Sequence, residues 1–309
     1  MDLEQFTSEL VRVLKVVLEG ECEVRAEKLQ EYYGRTPYKI MFLKQDSTGG
    51  YKLVTEVYPE NYYEYYFSGQ KELDEIGEMI LDFYDKTTGQ LSEEYAMLND
   101  YSRVRNRLSF MFINRQRNEN SLKDLVHIDY GDIVLIFNVV FIDKETYKMG
   151  SARVSHDMVK KWGISEEQFC AEAFMSAPNI TPPRIMTESE TICACLDVPF
   201  KGDDKAGMYV VTNSFLYMGS GVILYKGIGA LIEKKTGYKD FYVLPSSRNE
   251  MLLVPVDMHI SADGLKQMLE EVNGTEVSSQ DYLSDSIYTY STETEEFKIY
   301  GKEQSHEEQ

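Results

Sequence analysis

Serine, glutamate and histidine gathered in one stretch could support hydrolysis, and residues 246–259 offer that set. Ser246, Ser247 and Glu250 stand close together, with His259 a little further on. They make up a candidate polar site for a hydrolase, in which a base would take the proton from a serine hydroxyl. The nucleophile elbow G-x-S-x-G is missing, because Gly219-Ser220-Gly221 lacks its spacing. No catalytic residue is therefore assigned. Cys193-x-Cys195 is a metal signal in form, but a structural zinc site needs four ligands. Cys170 and His156 are the nearest additions, and in an alternating strand the two cysteines would simply be small buried groups.

His127, His156, His259 and His306 never fall at the i, i+4 spacing of a zinc protease. Gly219-x-Gly221 and Gly227-x-Gly229 lack the third glycine, and the lysine and serine, of a phosphate loop. No cofactor and no metal are expected. Paired carboxylates such as Glu270-Glu271 and Glu295-Glu296 read as solvated faces.

A second chemistry is anion recognition. Arg103, Arg107, Arg115 and Arg117, with Arg105 and Lys123, form one basic cluster in an otherwise acidic chain. Guanidinium groups hold carboxylate or phosphate in a planar fork, so this is a candidate anion or partner patch. The plainer reading is that these arginines pair with the many acids elsewhere in the fold.

The 309 residues carry 52 acidic and 32 basic side chains, a formal net charge of −20. Such a charge repels phosphate, which supplies most non-specific nucleic-acid affinity, so nucleic-acid binding is not expected. A basic partner protein suits it, as does an acidic inhibitor that imitates DNA. No apolar run approaches the ~18 residues of a membrane span. The first residues hold Asp2, Glu4 and Glu9 and no basic n-region, so no secretory signal is expected. Four irregularly spaced cysteines do not make a disulfide framework, and a reducing cytoplasm is the expected compartment.

The elements that must position these groups are read from periodicity. Phe6, Leu10, Val13, Leu14, Val17 and Leu18 predict a first helix ending near Gly20. Tyr38–Leu43 and Tyr51–Tyr58 predict a hairpin across 46–50. The tyrosine-rich segment from Tyr62 to Phe67 reads as a helix side, and a helix follows from Glu72 to Tyr84. From Glu93 to Leu125 the pattern predicts helix, with Val104, Leu108, Met111, Phe112 and Leu122 inward. Ile133–Ile142 is apolar nearly throughout and predicts a central strand.

Beyond Asp143–Thr146, a short helix is expected over 157–162. Ser165 with Gln168 predicts a capped helix that Pro178, Pro182 and Pro183 end. Ser176–Ala206, with Gly202-Asp203-Asp204-Lys205, reads as a linker or excursion. Met208–Thr212, Val222–Tyr225, Phe241–Leu244 and Met251–Val254 predict strands, with helices through Leu231 and Leu265 and a polar tail after Phe297. The class is α+β with mixed or antiparallel sheets, as two domains, 1–150 and 151–309.

Several segments together resemble one family. They are Trp162–Glu167, Ala171–Pro178, Met208–Asn213, Gly219–Tyr225, Leu244–Glu250, Val272-Asn273 and Leu283-Ser284-Asp285-x-x-Tyr288, with Tyr62–Gly69 and Asn114–Asn118 in the first half. They are similar to the bacterial family known as domain of unknown function 5688, over nearly the whole chain. The resemblance brings no activity, implies an intracellular bacterial protein, and points to the Thr212-Asn213 loop together with the Ser246–Glu250 turn, so that Thr212 and Asn213 join Ser246, Ser247 and Glu250 in the candidate polar site. Members often carry histidine before the glutamate of the Ser246–Glu250 segment, where this chain has Asn249. The expectation is a soluble, non-enzymatic binding or interaction protein with an unidentified, basic partner and no membrane.

Overall fold

Ile133–Ile142 has apolar side chains at both parities, so neither face of that strand can be left to water. In the computed structural model it is the middle strand of a four-stranded sheet. The structure describes residues 1–29, 31, 36–45, 51–142, 149–196, 198–200, 207–258, 260–275 and 277–301. The hairpin loop 46–50, the turn 143–146, the stretch 202–205, His259 and His306 lie outside the described residues.

The chain divides into two compact units, Met1–Ala96 and Met97–Gln309. Among the described residues all strand pairing is antiparallel and helices alternate with strands, an α+β fold. The first unit opens with α1 (Leu3–Val17), where Asp2 and Gln5 form a reciprocal capping box. Strands β1 (Glu23–Lys28), β2 (Tyr38–Gln45) and β3 (Tyr51–Val57) form a sheet in sequence order. Helices α2 (Glu60–Phe67) and α3 (Leu73–Leu98) follow. Phe6, Leu10 and Leu14 of α1 pack with Ile40, Phe42, Ile76, Ile80 and Tyr84. The tyrosines of α2 join this core, with Tyr63 and Tyr66 each 5.3 Å from the Phe6 ring.

The second unit begins with α4 (Tyr101–Val104), a 3-10 turn, and β4 (Leu108–Asn114). α5 (Glu119–Leu122), β5 (His127–Tyr130), β6 (Ile133–Ile142) and β7 (Met149–Arg153) complete the four-stranded sheet, with β6 paired to the other three. α6 (His156–Trp162) and α7 (Glu166–Ile180) lead to β8 (Pro183–Thr187) and α8 (Glu188–Cys195). Then come β9 (Tyr209–Asn213), α9 (Ile228–Thr236), β10 (Asp240–Ser247), β11 (Glu250–Pro255), α10 (Ala262–Thr275), β12 (Tyr288–Ser291) and β13 (Phe297–Ile299). The second sheet runs β13-β12-β10-β11-β9-β8. Leu265 and Leu269 of α10 cover one of its faces through Val210, Leu244, Leu252 and Val254.

Four local expectations are corrected. The helix over 93–125 is interrupted by β4, because Leu108 to Ile113 is an unbroken apolar and aromatic run that finds a partner in β6, Phe110 lying opposite Phe137. Pairing buries all of β4, which a helix at this place would not do. Within Ser176–Ala206, residues 183–195 are not an excursion, since β8 extends the second sheet and α8 follows with Thr187 and Glu190 as a capping box. Val222–Tyr225 is not a strand, because Ser220–Leu224 coils as a 3-10 helix where Gly221 lets the chain approach the Phe110 carbonyl. Pro178 sits inside α7 and does not end it. The Ser165 cap is half formed: Ser165 accepts from Gln168 N at 3.1 Å, while the Gln168 side chain turns to Glu172.

Candidate functional site

β9 ends on Asn213, and that side chain organises the loop after it. Its Oδ1 accepts from Phe215 N at 2.9 Å and its Nδ2 donates to the Tyr217 carbonyl at 2.8 Å. The loop needs this support, because Leu216 and Met218 both adopt positive φ, at 54° and 56°. From the other side the β10–β11 turn latches onto it. Asn249 Oδ1 accepts from Met218 N at 3.0 Å, and the Asn249 carbonyl accepts from Thr212 Oγ1 at 2.6 Å and from Gly219 N at 3.1 Å.

The structure therefore brings Thr212, Asn213 and the 246–250 turn together at one end of β9 and β11, but their polar groups face each other. Thr212 and Asn213 are fully buried and hydrogen-bonded to backbone. Ser247 Oγ accepts from Asn249 N at 3.1 Å. Arg248 is locked as well, with Nε 2.6 Å from Asp281 Oδ1 and its backbone N–H on the Asp281 carbonyl at 2.8 Å. Two groups are left. Ser246 is 3% exposed, and its hydroxyl meets the Glu250 carboxyl and no other partner among the described residues. Burial pushes the Glu250 carboxyl above the usual carboxylate range, with the Ser246 hydroxyl working in the opposite direction.

The four arginines do not form one surface. Arg103 and Arg107 precede β4 and Arg115 and Arg117 follow it, and a seven-residue strand separates the pairs by about 20 Å. Arg115 pairs with Asp129 and donates from Nε to the Gly131 carbonyl at 3.1 Å. Arg117 donates to the Ser279 carbonyl at 2.8 Å and lies over the Tyr282 ring at 4.3 Å.

A second polar knot escapes a reading by catalytic motifs. Asp132, in the β5–β6 turn, accepts from the hydroxyls of Ser284, Ser286 and Tyr288. Asn114 Nδ2 holds the Leu283 carbonyl at 2.7 Å, and Asn273 Nδ2 holds the Ser284 carbonyl at 2.9 Å. The signal for this knot was the set of segments shared with the family; only Asp132 lies outside them.

A cleft of about 300 Å³ opens between β8 and α8. Ile185, Met186, Ala194, Val198, Pro199 and Phe200 supply most of its walls, and Arg184, Glu190 and Cys193 its polar atoms. Cys193 and Cys195 lie on helix α8, not on a strand, so their side chains diverge, and Cys195 is exposed. Among the described residues no group of three or more His, Cys, Asp or Glu side chains could hold a metal ion. No described helix is long and apolar enough to cross a membrane.

No curated protein and no solved structure matches the chain. A family model does match, over residues 3–292, which takes in the loops latched by Asn213 and Asn249 and the knot around Asp132. The chain belongs to the family of unknown function DUF5688.

Proposed function

We propose that this protein acts by binding a partner and not by catalysis, and that the partner is basic. The observation that carries the reading is the hydrogen bonding of Thr212, Asn213 and Ser247. These residues, suited by type to bind or attack a substrate, are instead bonded to the backbone of the two loops that latch together. Those bonds build a rigid loop cluster, and rigid loops cost little entropy on association. Charge supports the choice of partner, because the acidic excess is shared evenly, ten in residues 1–96 and ten in 97–309. Steering of a positively charged protein would therefore act on both units.

One observation favours the hydrolase alternative. The Ser246 hydroxyl stands against the Glu250 carboxyl, which burial raises, a combination suited to proton transfer. One experiment separates the two. The full chain is immobilised and offered basic proteins at low and high ionic strength, and in parallel is assayed on p-nitrophenyl acetate. Salt-sensitive retention of a defined basic protein, with ester turnover no higher in wild type than in Ser246→Ala, is expected. Turnover that vanishes in Ser246→Ala and in Glu250→Gln would establish the hydrolase.

A further inference from the structure

The cleft beside β8 is built by short-range constraints, not by chance packing. β8 is the outer strand of its sheet, and Thr187 turns the chain straight into α8. Thr187 N donates to Glu190 Oε2 at 2.8 Å, Glu190 N donates to Thr187 Oγ1 at 3.2 Å, and Thr191 Oγ1 donates to the Thr187 carbonyl at 2.8 Å. These bonds fix the angle at which the helix leaves the strand. The third wall is tied down too, because Val198 N donates to the Cys193 carbonyl at 2.9 Å. Val198, Pro199 and Phe200 thereby stand opposite Ile185 and Met186.

Charge in the cleft runs against that of the chain. Glu190 has both oxygens occupied, Oε2 by Thr187 N and Oε1 by Lys235 Nζ at 2.7 Å from α9. Arg184 has no ion pair or hydrogen bond among the described residues and acts on Glu190 only at longer range. With Glu190 balanced by Lys235 from outside the lining, Arg184 is the unpaired charge among the described residues that line the cleft, in a molecule of net charge −20.

We infer that this cleft binds a small organic monocarboxylate, its apolar body between β8 and α8 and its carboxylate on the Arg184 guanidinium. A planar carboxylate matches the guanidinium fork. The volume is at the lower end of ligand pockets, which fits a compact branched or aryl body and not a long chain. A dianionic phosphate ester suits the cleft less, since one cation cannot balance it and the field of the whole chain opposes it. The inference is independent of the protein-partner reading, because it uses none of the loops that support it.

The test uses the full chain with 3-phenylpropionate as probe and 3-phenylpropanol as its uncharged counterpart. Binding is followed by calorimetry and by the rate at which Cys193 is alkylated in a Cys195→Ser background. Saturable binding of the acid, protection of Cys193, and at least about tenfold weaker binding of the alcohol are expected. Arg184→Gln changes an exposed side chain and leaves the fold intact; it should weaken the acid by a similar factor and leave the alcohol unchanged. Equal binding of acid and alcohol, unchanged affinity in Arg184→Gln, or no protection of Cys193 at saturating acid would each overturn the assignment.

Discussion

The Tyr288 hydroxyl lies 2.6 Å from Asp132 Oδ1 and 2.6 Å from the Tyr130 carbonyl oxygen. It ties β12 of the six-stranded sheet to the β5–β6 turn of the four-stranded sheet. The ring is fully buried and stacked on Phe297 at 4.8 Å. Burial and the adjacent carboxylate both push the Tyr288 phenol upward, so it stays a donor at any pH the fold survives.

A first prediction follows from that geometry. Tyr288→Phe keeps the stacked ring and removes the donor, so it should destabilise the protein by about 1.5–3 kcal/mol, the range for hydrogen bonds to charged groups. Asp132→Asn replaces an acceptor-only group that receives three hydroxyls, and the two changes should couple, because they remove one interaction. Urea unfolding of the single and double variants measures the coupling. Strict additivity would mean that Tyr288 is held by the Tyr130 carbonyl alone.

Gly219 sits at φ −95°, a conformation open to any residue, so its requirement is space. A Cβ there would lie 2.3 Å from Thr212 Oγ1, 2.6 Å from the Asn249 carbonyl oxygen and 2.7 Å from Asn213 N. Two of these are backbone atoms of a latched turn and cannot swing aside. Gly219→Ala is expected to cost about 3 kcal/mol or more, at the upper end for overpacking. Gly20→Ala, where nothing lies within 4 Å, is limited to the strain of its positive φ, about 1–2 kcal/mol. Thermal unfolding of the pair should place Gly219→Ala well below Gly20→Ala, and the reverse order would refute the close-approach argument.

Much of the scaffold was legible in the residues, and the reason differs by element. Ile133–Ile142 declared itself because a strand apolar at both parities has nowhere to go but the middle of a sheet. α1 did so through its apolar period and the glycine that follows it. β4 was misread because Val104, Leu108, Met111 and Phe112 also fit a helical stripe, and only the pairing with β6 decides between periods. α8 was hidden because no residue of it is buried, so it has no apolar stripe to detect. At the candidate site the family resemblance, and not spacing, pointed to Thr212, Asn213 and the 246–250 turn, and Thr212 Oγ1 donates to the Asn249 carbonyl of that turn. What spacing cannot encode is direction, and their polar atoms point into the fold. The arginine cluster shows the same limit, since a strand and not a helix separates its two halves.

Glu250 offers a test through pH. Burial raises its pKa in the folded protein above the ordinary 4.5, so the folded state favours the protonated form. Below 4.5 the carboxyl is protonated in both states and costs nothing; as pH rises from there through the folded value, stability is lost and then levels off. Glu250→Gln removes that loss. It should match the wild type near pH 4 and exceed it at pH 7. A stability gap between the two proteins that does not change with pH would show that the carboxyl is not desolvated.

Asn249 is the position at which the family resemblance implies histidine, and the latch says what that exchange would do. Asn249 Oδ1 accepts from Met218 N at 3.0 Å, and Met218 is one of two residues held at positive φ in this loop. A neutral imidazole nitrogen can accept the same N–H, whereas a protonated imidazole has no acceptor left. The folded state of Asn249→His thus favours the neutral ring and lowers its pKa below the usual ~6.5. The histidine's contribution is present above that value and lost as pH falls through the folded one, the opposite sense to Glu250. Asn249→His should be close to wild type at pH 8 and weaker by about 1–2 kcal/mol at pH 5, while Asn249→Ala loses a similar amount at both. Urea midpoints at the two pH values decide it. If the histidine variant is weakened equally at both, its ring does not reach Met218 and the pH argument for this latch fails.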